Sequence, residues 1–471
     1  MVVYGLNGIK TRILIDIDKK EIERIVNCLK NGLERGKFVE EQYECVSQLK
    51  KIVRDDETAE IMGSGDGFSI LFQLAFPDDI KQEKSIDATR CIFNIMLLYD
   101  GSRDIFIEKK GIERIIKEYM HFLELPLIHR KENFDLIFVY TRILFLLTTQ
   151  HGKAITILKE LGIFQIINSC LTYFEAYLVS NDSWSEQDLY TVQEYLKLLF
   201  NLIRHEDTHS LINISPLIKL LNLSFTNLIN QQFTFEIINC LLNLPIETFF
   251  DDEHISERCV EQLLNILDML LSSIDLGIYP NDSPPSINSD TLIETRVLSL
   301  VTFLRKILKH STEAIRALLV SRLLPQSKDR ENILGRGDTL SSKTLRAITL
   351  PTPLVREPIS WLLYELNHSN VTEFINSIGF GYASGFLASH GIPFVSPDSK
   401  DFDAPHGINP ITGQTLEAER MALSHLPEMT EEEKERDAER LFIMFQRLEK
   451  NSILSVKNPI RDAFESGKFS E

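Results

Sequence analysis

The chain has 471 residues, with 50 basic and 68 acidic side chains and a net charge of −18. That balance excludes a protein whose main partner is a phosphate backbone, which needs a basic footprint, and disfavours an anionic lipid surface. Hydrophobic residues make up 44% and charged residues 25%, with Gly at 21 and Pro at 17, which excludes whole-chain disorder and argues against a turn-rich all-β fold.

The N-terminus, Met1-Val-Val-Tyr-Gly-Leu-Asn-Gly8, lacks the apolar core of a secretory signal. The longest uncharged stretch, Phe374 to Pro397, is interrupted by four glycines and several serines, so no transmembrane segment is expected. Cys28, Cys45, Cys91, Cys170, Cys240 and Cys259 are scattered without a CxxC pair. They are expected to be reduced, small core residues of an intracellular protein.

In chain order, a series of nearly all-apolar helical runs dominates: Arg90–Leu98, Ile143–Thr149, Leu198–Ile203, Ile238–Pro245, Leu300–Leu308 and Trp361–Asn367. Such runs suit helices buried by neighbours on both sides. Amphipathic stretches such as Gly111–Tyr119 lie between them. Asn201 to Asn243 is 42 residues and Asn94 to Asn201 is 107, about two units of the 40–47-residue period of armadillo and HEAT repeats. The expected fold is therefore all-α: an armadillo/HEAT-like right-handed superhelix of about eight or nine repeats, because one unit cannot bury its own apolar face. An ordinary all-α globule is the alternative.

Three breaks interrupt the pattern. Tyr279–Asp290 is a loop by composition, Pro325–Asp338 is a polar insertion between helices, and Gly391–Glu428 has little periodicity. The domain reading is a solenoid over 1–390, an irregular connector over 391–428, and docked C-terminal helices over 429–471. Thr430 and Glu433 form a capping box for a helix whose apolar stripe is Ala438, Leu441, Phe442, Phe445 and Leu448. A short second helix is expected from Asn458-Pro459 to Gly467.

Candidate chemistry is sparse. His205-Glu-Asp-Thr-His209 matches HExxH, but it sits where a helix ends, with Pro216 close behind. It reads as a polar helix end, with no metal expected. Gly63-Ser-Gly-Asp-Gly67 and Gly379-Phe-Gly-Tyr-Ala-Ser-Gly385 lack a preceding strand and a GKS/T ending. The first reads as a loop between helices, the second as a close-packed helix end, and no nucleotide cofactor is expected. No catalytic constellation can be assembled.

Two groups of residues remain as binding candidates. Lys343 and Arg346, one turn apart, could meet an acidic or carboxylate-ended peptide, or could be ordinary surface charge. Asn94, Asn201 and Asn243 could hydrogen-bond a peptide on the concave face, or cap their own helices.

Leu324–Leu340 (Leu-Pro-Gln-Ser-Lys-Asp-Arg-Glu-Asn-Ile-Leu-Gly-Arg-Gly-Asp-Thr-Leu), Phe374–Ala388, Ile408-Asn-Pro-Ile-Thr-Gly413 and Met429–Leu441 resemble the synembryn family, in the family's order. Weaker likeness reaches back through Cys91–Ile95 and Leu241–Pro245, but the first eighty or so residues carry none. The resemblance implies an armadillo/HEAT superhelix acting as guanine-nucleotide exchange factor and folding chaperone of heterotrimeric G-protein α subunits (Gα), GDP-bound or nucleotide-free. It implies no catalytic residues, a concave face that grips the C-terminal helix of Gα, and a C-terminal segment that meets the Ras-like domain. By that analogy Lys343 and Arg346 match basic positions of the family, and the 429–448 helix, with Leu441, Phe442 and Phe445, is the second contact. The connector piece Val395–Asp403 holds fewer acids than that of the animal members, which puts control by an acid-directed kinase in doubt. A cytoplasmic monomer, recruited to the plasma membrane through Gα, is expected. The rival reading is an armadillo-type scaffold that binds a partner helix without affecting nucleotide state.

Overall fold

The computed structural model describes residues 19–34, 40–77, 86–125, 133–150, 152–180, 185–204, 206–226, 231–245, 255–274, 290–395, 397, 402–403, 405–424 and 430–450. These residues are helical with no β-strand, apart from one isolated bridge between Ile408 and Thr415. The expected helix at 458–467 and most of the 279–290 loop lie outside them.

The helices are α1 (Lys19–Glu34), α2 (Glu40–Ile52), α3 (Asp56–Ser64), α4 (Asp66–Ala75), α5 (Ile86–Leu98), α6 (Gly101–Glu108), α7 (Gly111–Glu124) and α8 (Phe134–Gln150). They continue as α9 (Gly152–Glu160), α10 (Ile163–Ser180), α11 (Glu186–Leu202), α12 (Ser215–Thr226), α13 (Gln231–Asn243), α14 (Glu257–Ser272) and α15 (Thr291–Leu308). The last are α16 (Glu313–Leu323), α17 (Leu340–Ala347), α18 (Pro353–Leu366), α19 (Val371–Ile378), α20 (Phe380–Ser389), α21 (Leu416–Ser424) and α22 (Glu431–Lys450).

One row of helices runs through the molecule, each packed on its counterpart in the next layer: α2, α5, α8, α11, α13, α15, α18. These contain the all-apolar runs seen in the sequence. A second row backs the first, α7 on α10 on α12, then α14 with α16 and α17. The inner row begins its helices at Glu40, Ile86, Phe134, Glu186, Gln231, Thr291 and Pro353. Most of these intervals exceed the 40–47-residue period, so the described residues hold fewer layers than eight or nine.

Fully buried aromatic residues pin successive layers. Phe174 lies 5.1 Å and Tyr119 5.8 Å from the Tyr195 ring, both edge-on, and Tyr119 Oη bonds Thr141 Oγ1 at 2.6 Å. Edge-on pairs of this kind stabilise by about 0.5–1.5 kcal/mol beyond their buried area.

Sequence punctuation is used locally. Asp55 caps α3 through Thr58 N, Ser185 and Asp188 form a capping box on α11, and Asn370 caps α19 through Thr372 N and Glu373 N. The three glycines expected to form a loop at 63–67 give only a one-residue break at Gly65 between α3 and α4. Gly63 lies inside α3, where a Cβ would come 2.5 Å from the Tyr99 ring.

Candidate functional site

Side chains stitch every junction of the inner row. Lys50 of α2 meets Asp87 of α5 at 2.8 Å, and Arg90 of α5 meets Asp135 of α8 at 3.6 Å. Arg142 of α8 lies 3.9 Å from Glu194 of α11 and stacks 4.3 Å over the Phe93 ring. Lys197 of α11 sits between Glu194 (3.0 Å) and Glu236 of α13 (4.0 Å). Arg296 of α15 reaches Gln231 and Gln232 of α13, both at 3.2 Å. Arg305 of α15 pairs with both carboxylate oxygens of Glu365 on α18.

These links fix the stacking of layers and give one face of the row an alternating-charge surface. Burial pushes Asp87 upward, but its bonds to Lys50 and Arg90 outweigh this and hold it below the usual carboxylate range. Glu236 behaves oppositely. Burial raises it to about 7, only partly countered by Lys197 and Gln232, and its Oε2 has no hydrogen-bond partner.

The three asparagines lie on this row and do different things. Asn201 of α11 is buried and donates to Thr148 Oγ1 of α8 at 3.0 Å, another interlayer tie. Asn243 donates to Asn239 O within α13, whose last carbonyls also receive Lys306 Nζ from α15. Asn94 is half-buried, and its side chain makes no hydrogen bond among the described residues.

The second assembly closes the far end of the solenoid. The segment 324–339, read as a polar insertion, is organised around Arg330 in a short 3-10 turn, Asp329–Glu331. Arg330 Nη1 donates to Gly413 O and Nη2 to Ser377 O, both at 2.7 Å, while Thr415 N donates to Arg330 O at 3.0 Å. Burial lowers the pKa of this guanidinium.

Gly379 joins α19 to α20 at φ +84°, and a Cβ there would lie 2.8 Å from the backbone of Thr412. That close approach lets Phe380 N and Gly381 N, open donors at the start of α20, reach Pro410 O (2.8 Å) and Ile411 O (3.0 Å). Asn409 and Thr412 both bond Glu419 of α21. Tyr382 Oη donates to Leu334 O at 2.8 Å.

Residues 405–424, part of the stretch expected to be an irregular connector, are thus a turn and a helix clamped onto the solenoid end. Three of the sequence pieces carrying the family resemblance meet in this one hub. Arg330, Asn409 and Glu419 were not singled out from sequence, because the polarity of 325–338 and 405–424 reads as solvent exposure until their backbone partners are known.

Lys343 and Arg346 flank the hub on α17. Lys343 Nζ pairs with Asp268 Oδ1 at 2.7 Å and donates to Ser272 Oγ at 2.8 Å, both on α14, and its side chain is only 13% exposed. Arg346 donates to Gly335 O and to Gly337 O, the latter at 2.8 Å, holding the hub loop. Both basic residues are therefore engaged within the chain, so a loss of partner binding on replacing them would not by itself place them in a contact.

Beyond the hub, α22 is different in kind. Its capping box is formed: Thr430 N donates to Glu433 Oε2 at 3.0 Å and Glu433 N to Thr430 Oγ1 at 3.3 Å. Every described side chain from Glu432 to Met444 is exposed, including Leu441 at 45% and Phe442 at 37%. The first turn is held by this capping box. Phe445 is in the same helix, but its side chain lies outside the described set.

His209 lies in a 3-10 turn, Glu206–Leu211, with a ring nitrogen 2.9 Å from Ile203 O, and His205 lies outside the described residues. An HExxH pair needs the α-helical i, i+4 register, which a 3-10 turn does not supply. Among the described residues no cluster of three or more metal-ligating side chains occurs, and no single helix is long and apolar enough to cross a membrane.

The family described as "Guanine nucleotide exchange factor synembryn" matches residues 45–468. The chain belongs to the synembryn family. The match begins well upstream of the first motif recognisable by eye. A synembryn-like chaperone of Schizosaccharomyces pombe is 29% identical over 61% of this chain and 57% of its own length. The protein named Chaperone Ric-8A of Gallus gallus is 22% identical over 97% of this chain and 92% of its own, and Chaperone Ric-8 of Drosophila melanogaster is 23% identical over 87% and 83%. The hub, α17 and α22 all fall within the synembryn match, as do the six inner-row junctions with the exception of α2's first residues.

Proposed function

We propose that this chain is a guanine-nucleotide exchange factor and folding chaperone for G-protein α subunits, with no catalytic residues of its own. The observation that carries the reading is the family match over 45–468 together with the exposure of Leu441, Phe442, Ile443 and Met444 on α22 among the described residues.

In this reading the polar face of the inner row receives the C-terminal helix of Gα and draws it from its bed, and Leu441 and Phe442 of α22 cover the Ras-like domain. The nucleotide pocket loosens and GDP leaves. The chain then holds nucleotide-free Gα until GTP binds, in the cytoplasm or at a membrane where Gα resides.

The energetics are those of population shift. The chain must bind open Gα more tightly than GDP-bound Gα, each 1.4 kcal/mol of difference being about tenfold. Rigid layer-to-layer links in the inner row favour this, because a preorganised groove loses little entropy on binding.

The test is GDP release from purified Gα, intact or lacking its C-terminal helix, with and without this protein. Faster release from intact Gα alone is expected. Binding without faster release would make the chain a scaffold, and no binding to any Gα would overturn the proposal.

A further inference from the structure

Of the six cysteines, four are buried singly, but Cys28 of α1 and Cys45 of α2 face each other with Sγ atoms 3.1 Å apart. Both are half-buried, so a small oxidant can reach them. The other four are shielded by packing and, in three cases, hydrogen-bonded: Cys91 to Val46 O, Cys240 to Leu196 O, and Cys170 accepting from Tyr195 Oη.

We propose that Cys28 and Cys45 form a reversible disulfide that staples the N-terminal cap of the solenoid under oxidising conditions. The two sulfurs need to close by about 1 Å to reach the bonded distance of about 2.05 Å. α1 and α2 pack directly on each other, and α2 is the first described helix of the inner row, so the bond ties α1 to the layer that packs on α5. Terminal layers of a solenoid contact only one neighbour and open most readily, which gives a staple there its effect. Cys28 lies upstream of the family match, which starts at Cys45.

The oxidant is a disulfide of low molecular weight, and the exchange balances in two steps. The Cys28 thiolate attacks one sulfur of oxidised glutathione and expels one glutathione thiolate. Cys45 then gives its proton to solvent, attacks the Cys28 sulfur and expels the second glutathione thiolate. Two protein thiols are oxidised and one glutathione disulfide is reduced to two thiols. Burial, and after it the neighbouring Cys28, push the Cys45 thiol up to about 12, and the same disulfide results whichever of the two thiols attacks first.

The test uses the full chain equilibrated with oxidised glutathione, quenched with N-ethylmaleimide, digested and weighed by mass spectrometry. The expected product is one peptide pair joined through Cys28 and Cys45, two hydrogens lighter than the thiols and reversed by reduced glutathione. Cys45→Ser and Cys28→Ser are each expected to stop at a glutathione adduct on the remaining cysteine, with no internal bond formed. Amide exchange in α1 and α2 is expected to slow on the order of a hundredfold on oxidation. Two separate glutathione adducts in the wild type, full alkylation of both cysteines, or unchanged exchange in α1 and α2 would each overturn the proposal.

Discussion

The hub and α22 both carry family motifs, yet they stand at opposite extremes of intramolecular use. In the hub, the polar residues are consumed by the chain itself. Arg330 spans Gly413 and Ser377, Glu419 receives Asn409 and Thr412, and Gly379 exists to let the 410–413 backbone close on α20. In α22 nothing described is consumed: Leu441, Phe442, Ile443 and Met444 are all exposed on a helix whose first turn is self-capped. Motif residues of the first kind are explained by folding. Apolar residues of the second kind are not, and the proposed function assigns them to a partner. The comparison thus separates what builds the platform from what is left for a partner.

Breaking the hub should give the largest stability effect. Arg330→Ala removes two charge-assisted hydrogen bonds to backbone carbonyls, each worth about 1.5–3 kcal/mol, so a loss on the order of 3 kcal/mol is expected in urea unfolding. Trypsin should then cut within 405–424 in the variant before it does so in the wild type. Gly379→Ala should act similarly, because φ +84° and the 2.8 Å approach of Thr412 leave a methyl no room. A hub that tolerates both changes would show that 405–424 is not clamped.

The next effect lies in the inner row. Glu236 is raised to about 7 in the folded chain, above its unfolded value of about 4.3. Between those values the folded state binds the extra proton, so this contribution is complete below about pH 4 and is lost as pH rises through about 7. Its size is at most about 4 kcal/mol. Glu236→Gln should therefore unfold at higher urea than the wild type at pH 8, and the gap should shrink toward pH 5. Equal midpoints at both pH values would show that Lys197 neutralises the buried acid fully.

Lys343→Met should cost about 1–3 kcal/mol by leaving Asp268 unpaired at a partly buried site. The smallest stability effect belongs to α22. Leu441→Asp with Phe442→Asp should change unfolding by less than about 0.5 kcal/mol, as expected for exposed positions, while weakening Gα binding at least tenfold. A double variant that binds Gα normally would return α22 to a bystander.

The sequence made the inner-row helices other than α2 legible because each carries a nearly all-apolar run, a pattern that helices packed on both sides keep. The capping box at Thr430–Glu433 was equally plain, since it depends on residues three apart. Burial in the hub was not legible. Arg330 is satisfied by carbonyls 47 and 83 residues away, and backbone acceptors leave no trace in side-chain pattern. Asn201 was visible as a repeat marker, but whether it faces a groove or the helix before it depends on Thr148, 53 residues earlier. The exposure of Leu441 and Phe442 on α22 was not legible for a simpler reason: an amphipathic stripe states that a helix has a partner, and does not say whether that partner is its own chain.

The most direct measurement is GDP release from purified Gα in the presence of the wild-type chain, the Leu441→Asp/Phe442→Asp variant and Arg330→Ala, each at a temperature where it is folded. Accelerated release by the wild type, with the α22 variant inactive at unchanged stability, is the predicted result. Release unaffected by the wild type, or accelerated equally by the α22 variant, would contradict the account.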